Sequence, residues 1–168
     1  KWERKTALGF CDQAIQKFPM SPGALDAQVL KAQLLDANVQ MQGEEAVQPA
    51  HPFKVAVTYK NVPKVWFRIV ADEWTPNSYL NRSNQEPEEK LIERKSIREW
   101  SVVLPDDGDL NDHLTEVPVD GLPLGHYAIV VCDSSGFKAK VDNIAFARFW
   151  VTQLAMSQRT HNGSTSVL

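Results

Sequence analysis

Apolar positions change their period once along the chain, near residue 45. Leu8, Cys11, Ile15 and Phe18 recur at steps of three, four and three, which lines them along one stripe of a helix over residues 3–18. Pro19, Pro22 and Gly23 break that helix, because proline pushes the residue before it out of helical geometry. Ser21 is placed to cap a second helix with Pro22 at its first position, running to about residue 38 with Ala27, Leu30 and Leu34 on one face. Two helices joined by so short a connection make an antiparallel hairpin. Beyond the polar stretch 40–50, apolar residues alternate instead: Phe53, Val55, Val57 and Tyr59, then Val65, Phe67 and Ile69. Further strands are expected at 97–104, 114–119, 126–132 and 143–154. Six or seven strands in about 100 residues, without long helices between them, predict an antiparallel β-sandwich of immunoglobulin-like type, so the fold class is mainly β behind a helical hairpin.

Three segments follow from this pattern. Residues 1–45 form the hairpin and a linker, 46–155 the sandwich, and 156–168 a second linker and the start of a further domain. Lys1-Trp2-Glu3-Arg4 opens within a helix and the chain stops as a new strand begins, so both ends read as cut. Ala14, Phe18 and Pro19 give the hairpin a resemblance to the end of a tetratricopeptide repeat, although no second copy recurs at a fixed period. Residues 86–96 interrupt the strands with mixed charge, and are expected as a short helix or irregular insertion that lays Leu91 and Ile92 against a sheet.

Composition narrows the function classes. With 43% hydrophobic and 23% charged residues in 168, the chain is globular rather than disordered. A net charge of −3, with Lys60, Lys64 and Arg68 too few to form a basic stripe, argues against a nucleic-acid partner. The longest apolar run, at 127–132, is strand-sized, so insertion of this segment into a membrane is not expected.

Candidate chemistry is sparse. Asp106-Asp107-Gly108-Asp109-Leu110-Asn111-Asp112 invites a calcium reading, but an EF-hand needs glycine sixth and glutamate twelfth, where Asn111 and Val117 stand. A turn between strands is the expectation, beside a calcium loop of another kind. His51, His113, His126 and His161 are scattered without a ligand-like spacing. Cys11 lies on the helical stripe and Cys132 inside a strand, where thiols behave as small hydrophobes. No catalytic, cofactor-binding or metal-binding residue is assigned, and no enzyme activity or cofactor is expected. Trp66, beside Val65 and Phe67, lies either under a cover (the hairpin or residues 86–96) or, with Trp74, on an exposed carbohydrate or partner platform. Trp100 and Trp150 fall in other strands. Leu122-Pro123-Leu124-Gly125-His126-Tyr127 has the form of a tyrosine corner, in which a buried tyrosine bonds a backbone group a few residues upstream.

Taken in order, Phe18-Pro19-Met20-Ser21-Pro22-Gly23-Ala24, the segment 59–65, Glu99-Trp100-Ser101 through Asp109, residues 122–127 and Phe149-Trp150-Val151-Thr152-Gln153-Leu154 resemble a bacterial α2-macroglobulin family protein of the Bacteroidetes type. The resemblance implies a macroglobulin-type sandwich domain, a non-catalytic module of a protease-trapping inhibitor, in the periplasm or at the outer membrane. It implies contacts with other domains of the parent chain and, through the parent, with target proteases. The family's Cys-x-Glu-Gln thioester is absent, since Cys11 precedes Asp12-Gln13 and Cys132 precedes Asp133-Ser134-Ser135. The alternative is a carbohydrate- or peptide-binding sandwich that uses exposed aromatics or a sheet edge.

Overall fold

The computed structural model describes residues 3–73, 88–105, 108–138, 141–154, 158–161 and 164–167. Helix α1 (Arg4–Lys17) and helix α2 (Pro22–Leu35) form the hairpin. Ser21 caps α2 as its sequence predicts, its Oγ accepting from the Ala24 N–H at 3.1 Å, with Pro22 at the first turn. Ala24, Leu34 and Cys11 are buried, whereas Phe18, at the end of the predicted stripe, is exposed.

Eight strands follow in two layers: β1 (Asn38–Gln42), β2 (Ala46–Val47), β3 (Phe53–Lys60), β4 (Lys64–Ala71), β5 (Ser96–Val103), β6 (His113–Val119), β7 (Gly125–Cys132) and β8 (Ile144–Val151). One sheet has the order β1-β3-β6 and the other β2-β8-β7-β4-β5. All pairings within these layers are antiparallel except β2 with β8, which is parallel. This order, with successive strands divided between facing sheets, is that of an immunoglobulin-like sandwich. A separate hairpin, β9 (Gln158–His161) and β10 (Ser164–Val167), follows it.

The polar stretch read as a linker is in fact the first edge of the sandwich. Val39 and Met41 alternate with Gln40 and Gln42, and pair β1 with β3 in the register Val39↔Tyr59 and Met41↔Val57. The chain then crosses to the other sheet, where Glu45 O accepts from Trp150 N at 2.8 Å and Val47 O from Thr152 N at 3.0 Å. Helix α2 correspondingly stops at Leu35, short of the expected end.

The period-two residues meet between the sheets: Val55, Val57 and Tyr59 face Val65, Phe67, Ile69, Ile129, Val131, Phe149 and Val151, all buried in one cluster. Strand β7 is buried on both faces, because a second apolar layer covers the outside of the five-stranded sheet. Helix α3 (Glu88–Glu93) places Leu91 against Val70 and Ala128, and Phe137 from the β7–β8 connection packs on Val130 and Cys132. Helix α3, within the expected segment, therefore supplies the cover through Leu91 and Ile92, while the hairpin sits elsewhere. It reaches the end of the sandwich through polar contacts: Arg4 Nη1 to Leu110 O at 2.6 Å, and Asn61 Nδ2 to Leu34 O at 2.9 Å and Asp36 O at 3.0 Å.

The tyrosine corner is present. Tyr127 is buried at the start of β7, and its hydroxyl donates to Pro123 O at 3.1 Å, four residues upstream. Its ring crowds Gly125, where an added Cβ would lie 3.0 Å from the ring and hydroxyl, so the turn closes there without a side chain. Tyr127→Phe is expected to cost about 1 kcal/mol in chemical unfolding, the net worth of one hydrogen bond. An unchanged midpoint would show that the hydroxyl does not pin this crossover.

Candidate functional site

The polar groups singled out in the sequence turn out to be engaged locally. Asp109 accepts from the Asn111 backbone N–H at 2.8 Å, the Asn111 amide at 2.7 Å and His113 Nε2 at 2.9 Å. These bonds, led by those from Asn111, hold its carboxyl far below the ordinary carboxylate range. The turn uses its carboxylate to order itself; Asp106 and Asp107 lie outside the described residues. Among the described residues no group of three or more His, Cys, Asp or Glu is placed to hold a metal ion. His51 Nδ1 meets Pro49 O at 2.9 Å, and the side chain of His161 lies outside the described residues. Cys11 and Cys132 are both buried free thiols. Burial is the main cause that pushes Cys132 up to about 11, which leaves it protonated and unreactive at neutral pH.

One partly buried polar cluster carries no sequence signal. The Asp72 side chain is 7% exposed, with Arg148 Nε at 3.0 Å, His126 Nδ1 at 3.5 Å and Arg94 Nη1 at 3.9 Å. The His126 ring lies 4.4 Å from Trp150, and its Nδ1 has no hydrogen-bond partner among the described residues. Burial holds His126 below its ordinary 6.5, outweighing the attraction of Asp72, whose charge already faces Arg148. In the pH range between the folded and unfolded values, the unfolded chain binds the extra proton, so stability is complete above 6.5 and declines as pH falls below it. Unfolding midpoints measured from pH 7.5 down to 5 are expected to fall more steeply in the wild type than in His126→Gln. Parallel curves would assign the slope to other groups.

Trp66 is half-buried and does not form an open aromatic platform. Trp66 packs with Ile92, Ile144 and Phe146 against Val130, Cys132 and Phe137, and Lys64 Nζ lies 4.9 Å from its ring centre. Trp100, partly buried, stacks on Phe67 at 4.9 Å and 8° against the main core. Trp74 lies outside the described residues.

Among the described residues, a long sheet edge stays open instead. Strand β5 pairs with β4 on one side and has no strand on the other. Leu104 N donates to Pro63 O at 2.8 Å, so by antiparallel alternation Val102 and Trp100 also turn their backbone groups toward β4. Val103, Ser101 and Glu99 therefore turn theirs outward. The charged side chains of β5 are held away from this edge: Glu99 accepts from Arg68 Nε at 2.8 Å, and Arg98 Nη1 donates to Asp120 O at 3.2 Å. Hydrogen bonding from Ser96, followed by the charge of Arg68, lowers Glu99 below its ordinary 4.5. The opposite candidate edges are less available. Strand β6 carries Pro118, a residue that blunts edges because it cannot donate to a ladder, and β1 and β2 span only 5 and 2 residues.

No protein-family model matches the chain, and no curated protein matches it. Solved structures similar to it include two of the CARDB domain of the PF1109 protein from Pyrococcus furiosus. One is a crystal structure in complex with di-metal ions, at 15% identity and a TM-score of 0.39 over 70% of this chain and 88% of that one. The other is a solution NMR structure, at 12% identity and 0.36 over 69% and 94%. These are CARDB domains and not macroglobulin domains, which corrects both the α2-macroglobulin resemblance and the protease-trapping function it implied. The motifs that suggested that family are mostly turn and corner chemistry that an antiparallel sandwich needs whatever its ancestry, as at residues 122–127. The chain is a helical hairpin followed by an immunoglobulin-like β-sandwich, and likeness at this level extends to neither metal, ligand nor partner. No helix among the described residues is long and apolar enough to cross a membrane.

Proposed function

We propose that this sandwich is a non-catalytic protein-interaction module that binds an extended segment by strand addition at β5. The carrying observation is the outward row of backbone groups at Glu99, Ser101 and Val103 on an eight-residue edge strand free of proline. Main-chain hydrogen bonds along such a row supply affinity, and flanking side chains supply selection. Two flanking residues suit that role, since Ile97 and Val103 are 52% and 75% exposed on a strand otherwise bordered by engaged charges. A sugar-binding reading through Trp66 draws little support from a half-buried ring packed against Val130, Cys132 and Phe137.

The test uses a capped peptide of alternating valine and threonine, flanked by lysines for solubility. In dilute solution, where copies of the chain are apart, amide exchange is expected to slow at Glu99, Ser101 and Val103 on titration. Ser101→Pro should abolish the effect, because it removes an outward donor and leaves the β4 ladder intact. Protection at another strand, or protection that survives Ser101→Pro, would refute the assignment.

A further inference from the structure

Resting on that reading of β5, we infer that the partner at this edge is a second copy of the same chain, joined antiparallel about a twofold axis at Trp100. Residues directly opposite in an antiparallel pair share a face, so a twofold axis normal to the sheet must pass through a residue and not between two. Three residues near the middle of β5 qualify: Glu99, Trp100 and Ser101. An axis at Glu99 sets two carboxylates directly opposite, which is destabilising. An axis at Ser101 brings Ile97 opposite Pro105, which has no N–H to donate.

Only the axis at Trp100 is self-complementary along the strand. It pairs Glu99 with Ser101 of the other copy, both residues whose backbone groups turn outward, so each pair can exchange two hydrogen bonds. It sets Arg98 opposite Val102 and Trp100 opposite itself, with no like charges facing. It also brings Ile97 beside Val103, the two exposed aliphatic side chains of β5, so each covers the other. The two five-stranded sheets then run on as one.

Sedimentation equilibrium of the full chain at rising concentration is expected to move from the monomer mass to twice that mass. Ser101→Pro, with its fold checked by circular dichroism, should remain a monomer. The register is read by cysteine pairing under mild oxidation, since opposed Cα atoms about 5.5 Å apart lie within disulfide reach. Glu99→Cys and Ser101→Cys chains should cross-link when mixed and not when either is oxidised alone. Cross-linking of Glu99→Cys alone, or of Ser101→Cys alone, would overturn the Trp100 axis. A chain that stays monomeric yet still protects its β5 amides with the valine–threonine peptide would overturn the second copy while leaving strand addition standing. Failure of both would remove the strand-addition reading itself.

Discussion

Phe67→Ala is expected to be among the most damaging single changes in the sandwich, lowering stability by about 3–5 kcal/mol. The side chain is fully buried between the sheets, and its ring stacks on Trp100 with centroids 4.9 Å apart. Truncation removes the transfer energy of the ring, leaves a cavity bordered by stiff β-branched neighbours, and takes away the support of Trp100. Because small domains have a total stability of about 5–15 kcal/mol, the loss is a large share of the whole. Urea unfolding measures it, with Phe67→Leu expected to fall between wild type and alanine. A change under about 0.5 kcal/mol, the range of ordinary surface substitutions, would contradict this placement of the core.

The second large effect is expected at Asp72. Asp72→Ala should cost about 3 kcal/mol, at the lower end of the range for breaking a buried pair, because its arginines reach solvent in part. The carboxylate is 7% exposed and answers Arg148 of β8, His126 of β7 and Arg94 of the α3–β5 connection. Asp72→Asn keeps the shape and one acceptor and should cost less. The loss should also persist at high salt, since a shielded pair is screened far less than an exposed one. Equal stability of Asp72→Ala and wild type at neutral pH would show that the cluster contributes nothing net.

Strong periodicity made the main elements readable. Alternation in β3 and β4 named the residues that meet in the core, because one buried face leaves a period-two record. Ser21-Pro22 marked the start of α2, and Leu122 to Tyr127 marked the corner, because caps and corners use local chemistry. Strand β1 was hidden by its two glutamines and by the absence of any local partner: Val39 and Met41 acquire their meaning only opposite Tyr59 and Val57. The Asp72 cluster is likewise non-local, with Arg148 76 positions away. The open edge of β5 could not be read at all, since a strand's pattern says which face is buried and not which flank lacks a neighbour. The family expectation was drawn from turn chemistry, which different sandwiches reach independently.

The crossing of the chain from β1 to β2 has a mechanical consequence. Traction applied between the helical hairpin and the residues after Val151 would pull the parallel strands β2 and β8 past each other lengthwise. The bonds from Trp150 to Glu45 and from Thr152 to Val47 would then bear the load together instead of opening in sequence like a zipper. Resistance to stretching is thereby concentrated in a two-residue clasp at the sheet margin, on the edge opposite the strand that carries Trp100.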